Sequence, residues 1–178
     1  MSSPTRERIL ESTIAGIRVG APVTLESAAE QAGLTKPGLM YHFPTKEALM
    51  LALIDHVTDR WADKMVARLG MPYENATVAD RIRAYVEIVL TTEADPTDMV
   101  LMLDPRLRAV MAERWNERID PWLTVPEELP AAQRATLITV RMIGDGAWFA
   151  GVSGIMPPSA EERDQIWRVT RRLLEEIS

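Results

Sequence analysis

A chain of 178 residues is long enough for one compact domain or two small ones. It contains no cysteine, which excludes disulfide scaffolds, thiolate metal sites and thiol nucleophiles. Its formal charge of −6 is not offset by a basic segment: residues 1–60 hold six Lys/Arg against seven Asp/Glu, so a polyanion could be met only through a few well-placed donors.

Taken in chain order, the predicted elements are helices. Pro4 follows Ser3 as a first-turn proline, and Ile9, Leu10, Thr13, Ile14 and Ile17 recur at helical spacing up to Gly20. Thr24 precedes a short helix over 24–31, closed by Gly33. Thr35 precedes a second short helix over 36–42, and Thr45 caps a long pattern ending near Gly70. Further helices are predicted at about 77–93, 97–103, 105–119, 130–152 and 159–177, the last opened by the capping box Ser159-Ala-Glu-Glu162. No segment alternates with period two. The expected fold is all-α, with about nine helices. No apolar run reaches the roughly 20 residues a membrane span needs, and the N-terminus lacks an apolar signal core. A cytoplasmic protein with no membrane partner is therefore expected.

The stretch TKPGLMYHFPTKE (35–47) is polar at its front, aromatic at its back and interrupted by Pro44. With the preceding helix and the Ala32-Gly33-Leu34 turn it forms a helix-turn-helix. Lys36, Pro37 and Gly38 give the second helix a low-profile front, suited to entering a major groove. Thr45 and Lys46 could bind a backbone phosphate at the start of the long helix. The run TLESAAEQAGLTKPGLMYHFPTKEAL, within residues 8–54, resembles the DNA-binding domain of the TetR family of transcriptional regulators.

That resemblance implies an all-helical homodimer. It would have a helix-turn-helix domain over 1–48, joined by a long helix to a ligand-binding and dimerisation domain over 49–178. Its partners would be a palindromic double-stranded DNA operator and a small-molecule effector that releases the protein. Thr24 would cap the first motif helix and touch a phosphate. Thr35, Lys36, Pro37 and Gly38 would face the major groove, Tyr41 and His42 would lie against backbone or bases, and Lys46 would pin a phosphate. One position departs from the family: Met40 stands where many members carry a phosphate-contacting tyrosine.

Toward the C-terminus, Ile166, Val169, Leu173 and Ile177 recur on one face of the last helix. Ile143, Ala147 and Gly151 lie on the helix before it. This resembles the family's four-helix dimer interface. All five tryptophans fall after residue 60. Trp61, Met65, Met99, Met102, Trp115, Trp148 and Phe149 are candidate walls for an apolar ligand, and Asp145 is a candidate partner for a cationic one. The expected activity is a repressor released by a lipophilic, multidrug-type cation. The alternatives are the same architecture sensing an anionic or neutral metabolite, with Arg118 and Arg141 as candidate partners, or a helical ligand-binding module without DNA binding. No cofactor, metal site or enzymatic activity is expected. There is no phosphate loop, only two histidines are present, and Ser153 in GVSGI has no histidine downstream to act as its base.

Overall fold

In the computed structural model, residues 4–102 and 108–177 are described. They form nine α-helices: α1 (Pro4–Arg18), α2 (Leu25–Gln31), α3 (Lys36–His42), α4 (Lys46–Leu69), α5 (Val78–Thr91), α6 (Thr97–Met102), α7 (Arg108–Leu123), α8 (Ala131–Ser153) and α9 (Ala160–Glu175), with one 3-10 turn at Tyr73–Asn75. There is no strand among the described residues, so the fold is all-α as expected. No described helix is long and apolar enough to cross a membrane. The chain divides into two compact units: residues 1–58 with 96–114, and residues 59–95 with 115–178.

The first unit contains α1, α2, α3, the front of α4, and α6. Helix α1 buries the stripe Ile9, Leu10, Ile14 and Ile17. Thr13 sits in that stripe without penalty because its hydroxyl donates to the Ile9 carbonyl at 2.8 Å. Helix α4 contributes Leu49, Met50, Leu53, Ile54 and Val57. The turn between α2 and α3 needs Gly33, at φ +65°. Only that left-handed residue lets the Leu34 N–H reach back to the Ala29 carbonyl, at 2.8 Å.

In the second unit α5 packs against both α8 and α9. It presents Ile82, Ala84, Tyr85, Val86, Ile88 and Leu90 inward, facing Leu137, Val140 and Val152 of α8 and Leu174 of α9. Both α5 and α9 open with complete capping boxes, Thr77 with Asp80 and Ser159 with Glu162. Helix α7 runs past the expected end near residue 119 and through Pro121 to Leu123. The reason is tertiary. Ile119, Trp122 and Leu123 are buried, Tyr73 packs edge-on against Trp122 at 4.9 Å, and the Tyr73 hydroxyl donates to the Pro121 carbonyl at 2.8 Å. A terminal carbonyl that the helix leaves orphaned is thereby satisfied.

Candidate nucleic-acid interface

Helices α2 and α3 are each placed by a threonine. Thr24 Oγ1 accepts from the Ser27 N–H at 3.1 Å, and Thr35 Oγ1 accepts from the Gly38 N–H at 3.2 Å. Each hydroxyl keeps its own proton to donate outward. At the start of α4, Thr45 Oγ1 accepts from the Ala48 N–H at 3.1 Å. Beneath these caps Ala28, Ala29 and Leu39 are buried, so the two motif helices approach closely and hold a fixed angle.

Thr35, Lys36, Pro37 and Lys46 are exposed, and Gly38 and Thr24 are half-buried. Tyr41 is 86% exposed, and its ring meets that of half-buried His42 edge-on at 5.2 Å. Met40, at the position where the family pattern is broken, is 40% exposed. Phe43 lies at 0% exposure, directly behind this surface. An almost fully solvated tyrosine beside a low-profile helix front buries little of its ring, and it has the chemistry to stack or donate to a nucleic acid.

Two residues of this unit were not legible as functional in the sequence. Arg6 of α1 donates from Nη1 to the His42 carbonyl at 2.6 Å, and its guanidinium lies 4.3 Å from the Phe43 ring centroid. It therefore caps the carboxyl end of α3 with a charge and clamps the ring that anchors α3. Arg6 and His42 stand 36 positions apart, and the sequence between them carries no local signal of the contact. Arg6→Ala is expected to cost about 1–3 kcal/mol, read as a lower urea midpoint. Arg6→Lys should recover only part of it, because an ammonium lacks the flat face that covers Phe43. The second residue is Glu26, whose carboxylate holds Lys36 Nζ at 2.5 Å.

In the second unit, Trp61 contacts both Trp115 and Tyr85, with ring centroids 6.2 and 6.1 Å apart. The Tyr85 hydroxyl donates to Asp145 Oδ1 at 2.8 Å, and Arg141 Nε lies 3.6 Å from Asp145 Oδ2. These two partners account for a carboxylate set in mid-helix between glycines. Burial, followed by the charge and hydrogen bond of Asp145, pushes the Tyr85 hydroxyl well above the ordinary tyrosine range. A raised folded-state pKa stabilises the fold fully below pH about 10, the unfolded value, and the contribution is lost as pH rises beyond it. Thermal stability should therefore hold to about that pH and fall above it. Tyr85→Phe should cost about 1 kcal/mol near neutrality and flatten the alkaline fall. A pH series of melting curves on the two proteins reads both effects.

Of the other candidate ligand residues, Met65 is fully buried, Trp148 is half-buried and Phe149 is 46% exposed. Met99 is half-buried in the first unit, and the side chain of Met102 lies outside the described residues. Arg118 is turned to Asp59, donating from Nε at 2.6 Å.

Among the candidate dimer residues, Ile143, Ala147, Ile166, Leu173 and Ile177 are half-buried, and Val169 is 51% exposed. Gly151 instead faces its own chain, since a Cβ there would meet the Ala94 Cβ at 2.7 Å. Met142 and Phe149 are exposed about one turn to either side of Gly146, whose added Cβ would meet nothing within 4 Å.

A short capped helix presented by a glycine turn over an alanine-lined first helix defines a helix-turn-helix protein. Comparison with known proteins makes the assignment specific. Residues 20–53 match the family model for bacterial regulatory proteins of the tetR family, and residues 79–177, more than half of the chain, match the tetracyclin repressor-like C-terminal domain. The chain belongs to the TetR family of DNA-binding transcriptional regulators. The HTH-type transcriptional regulator EthR of Mycobacterium tuberculosis is 26% identical, over 89% of this chain and 77% of its own length. The HTH-type transcriptional regulator RutR of Escherichia coli is 35% identical over 71 residues, 40% of this chain and 32% of its own. The fold is shared with the fatty acid degradation regulator FadR of Bacillus halodurans, at TM-score 0.61 and 14% identity, covering 98% of this chain and 96% of that one. It is also shared with FadR of Bacillus subtilis in complex with stearoyl-CoA, at TM-score 0.54 and 16% identity, with 96% of each chain covered.

Proposed function

We infer that the protein is a homodimeric repressor that holds a palindromic operator through two copies of the α2–α3 motif and is released by a lipophilic small molecule bound in the second unit. The observation that carries the operator-binding half is the exposed front of Thr35, Lys36, Pro37 and Tyr41, continued by Thr45 and Lys46 at the start of α4. Support for the dimer comes from apolar side chains left in water on α8 and α9: Met142, Phe149 and Val169. Gly146 lies between the first two and would let a partner helix approach closely.

The effector is an apolar molecule with an anionic or neutral head. Asp145 already has Tyr85 and Arg141 as partners, so a cation there would have to displace the guanidinium. Arg141 Nε stands 3.6 Å from Asp145, too far for a hydrogen bond, so its guanidinium can be shared with an anionic head. FadR of Bacillus subtilis, which shares the fold, is a complex with stearoyl-CoA, an acyl chain on an anionic head.

The test is tryptophan fluorescence of the purified protein, titrated with tetraphenylphosphonium, with tetraphenylborate and with stearoyl-CoA. Each titration is repeated on the protein bound to a duplex selected from a randomised library. Saturable quenching by an anion, with affinity lowered by DNA, is the expected result, because linkage requires DNA and effector to weaken each other by the same factor. Quenching by the cation alone would restore the multidrug reading built on Asp145. Ligand affinity unchanged by DNA would end the release scheme.

A further inference from the structure

We propose that Glu26 is a specificity-determining residue, acting with Lys36 as a preformed donor–acceptor pair that reads one G·C base pair in each half-site. The proposal rests on the operator-binding reading above. The two residues come from different helices, Glu26 from the first turn of α2 and Lys36 from the first residue of α3. Their side chains are 65% and 50% exposed, and Lys36 Nζ donates to Glu26 Oε1 at 2.5 Å. The hydrogen bond and charge of Lys36 hold the Glu26 carboxyl below its ordinary range, so it acts as an acceptor carboxylate.

Lys36 is thus not a lone cation waiting for a phosphate. A carboxylate at bonding distance repels phosphate and cancels the charge that would release counterions. What the pair offers is directional. The ammonium has three N–H donors, of which Glu26 takes one, and the carboxylate keeps a second oxygen as acceptor.

In the major groove, guanine presents N7 and O6 side by side as acceptors, and its cytosine partner presents the N4 amino donor next to O6. Lys36 can donate its two remaining protons to N7 and O6 while Glu26 accepts from N4. On an A·T pair in the same register, the ammonium meets the adenine N6 donor and the carboxylate meets the thymine O4 acceptor. Both halves of the pair are then mismatched. Glu26 therefore weakens binding to arbitrary DNA and sharpens binding to one base pair.

The experiment uses the full chain. Half-sites are selected from a randomised duplex library, and affinity is measured by fluorescence anisotropy at several salt concentrations. The wild type is compared with Glu26→Ala and with the shape-preserving Glu26→Gln. For the wild type, one position of each half-site should be G·C, and changing it to A·T should weaken binding roughly tenfold or more. In Glu26→Ala the same change should cost less than about threefold. Affinity for unselected DNA should rise, and the salt slope should steepen by about 0.9 for each freed lysine that gains a phosphate. Glu26→Gln should give the same rise on unselected DNA while retaining part of the discrimination, since its amide oxygen still accepts. Equal base-pair penalties and equal salt slopes in wild type and variants overturn the proposal and leave operator binding intact. Failure of the wild type to bind any duplex at 50 mM salt overturns both.

Discussion

Phe43→Ala is expected to cost about 3–5 kcal/mol, the usual range for truncating a buried aromatic, and to abolish DNA binding with it. Phe43 is fully buried, terminates α3, and carries the Arg6 guanidinium on its ring. Removing it opens a cavity behind the motif and releases the charge that caps α3. A domain of this size has only about 5–15 kcal/mol of stability in total, so the loss would leave the first unit marginal. The check is a pair of measurements, urea unfolding and anisotropy on a selected duplex. The control is Tyr41→Ala, two residues away. Tyr41 is 86% exposed, so this variant should keep the wild-type urea midpoint and lose affinity alone. A Tyr41→Ala protein that binds DNA like the wild type would remove that residue from the interface.

The second large effect is at Gly144. A Cβ placed there would lie 2.8 Å from Tyr85 Cε1 and 3.0 Å from Val86 Cγ2. Neither neighbour can yield easily: Val86 is fully buried, and the Tyr85 ring is buried and tied through its hydroxyl to Asp145. Gly144→Val should therefore cost about 3 kcal/mol, the upper end of overpacking penalties, because the branched side chain must force α5 and α8 apart. Gly144→Ala should also destabilise, although alanine gains about 1 kcal/mol in helix propensity over glycine. Two residues on, a Cβ at Gly146 would meet nothing in its own chain, so in the dissociated subunit Gly146→Ala should stabilise by about 0.5–1 kcal/mol, while in the dimer it should weaken the close helix approach proposed above. The opposite signs of two neighbouring substitutions in the dissociated subunit, read in one set of melting curves, separate contact from propensity.

Features of the fold with a local cause could be read from the sequence. The caps at Thr24, Thr35 and Ser159 and the turn glycine at Gly33 act within a few residues, and the helices they bound stand within two residues of the expected limits. Features with a tertiary setting could not. Helix α7 runs through Pro121 to bury Trp122 and Leu123, and the proline carbonyl is taken by Tyr73, 48 residues earlier. The mid-helix Asp145 called for a partner, but Tyr85 is 60 residues away and nothing in its neighbourhood announces the contact. The same holds for Arg6 and the end of α3. At the candidate interface the residue types in the motif could be read, whereas the pairing of Lys36 with Glu26, which changes what that lysine can bind, needed coordinates.

The central claim is that α2 and α3 present a surface that grips DNA, and its most direct test is the salt dependence of binding. Anisotropy of a labelled duplex carrying the selected site, titrated with wild-type protein between 50 and 200 mM salt, gives the number of phosphates neutralised. About four contacts per dimer predict a loss of roughly 100-fold across that range, with Lys46→Ala lowering the slope by close to two contacts, one per subunit. A flat curve, or a slope unchanged by Lys46→Ala, would contradict the account.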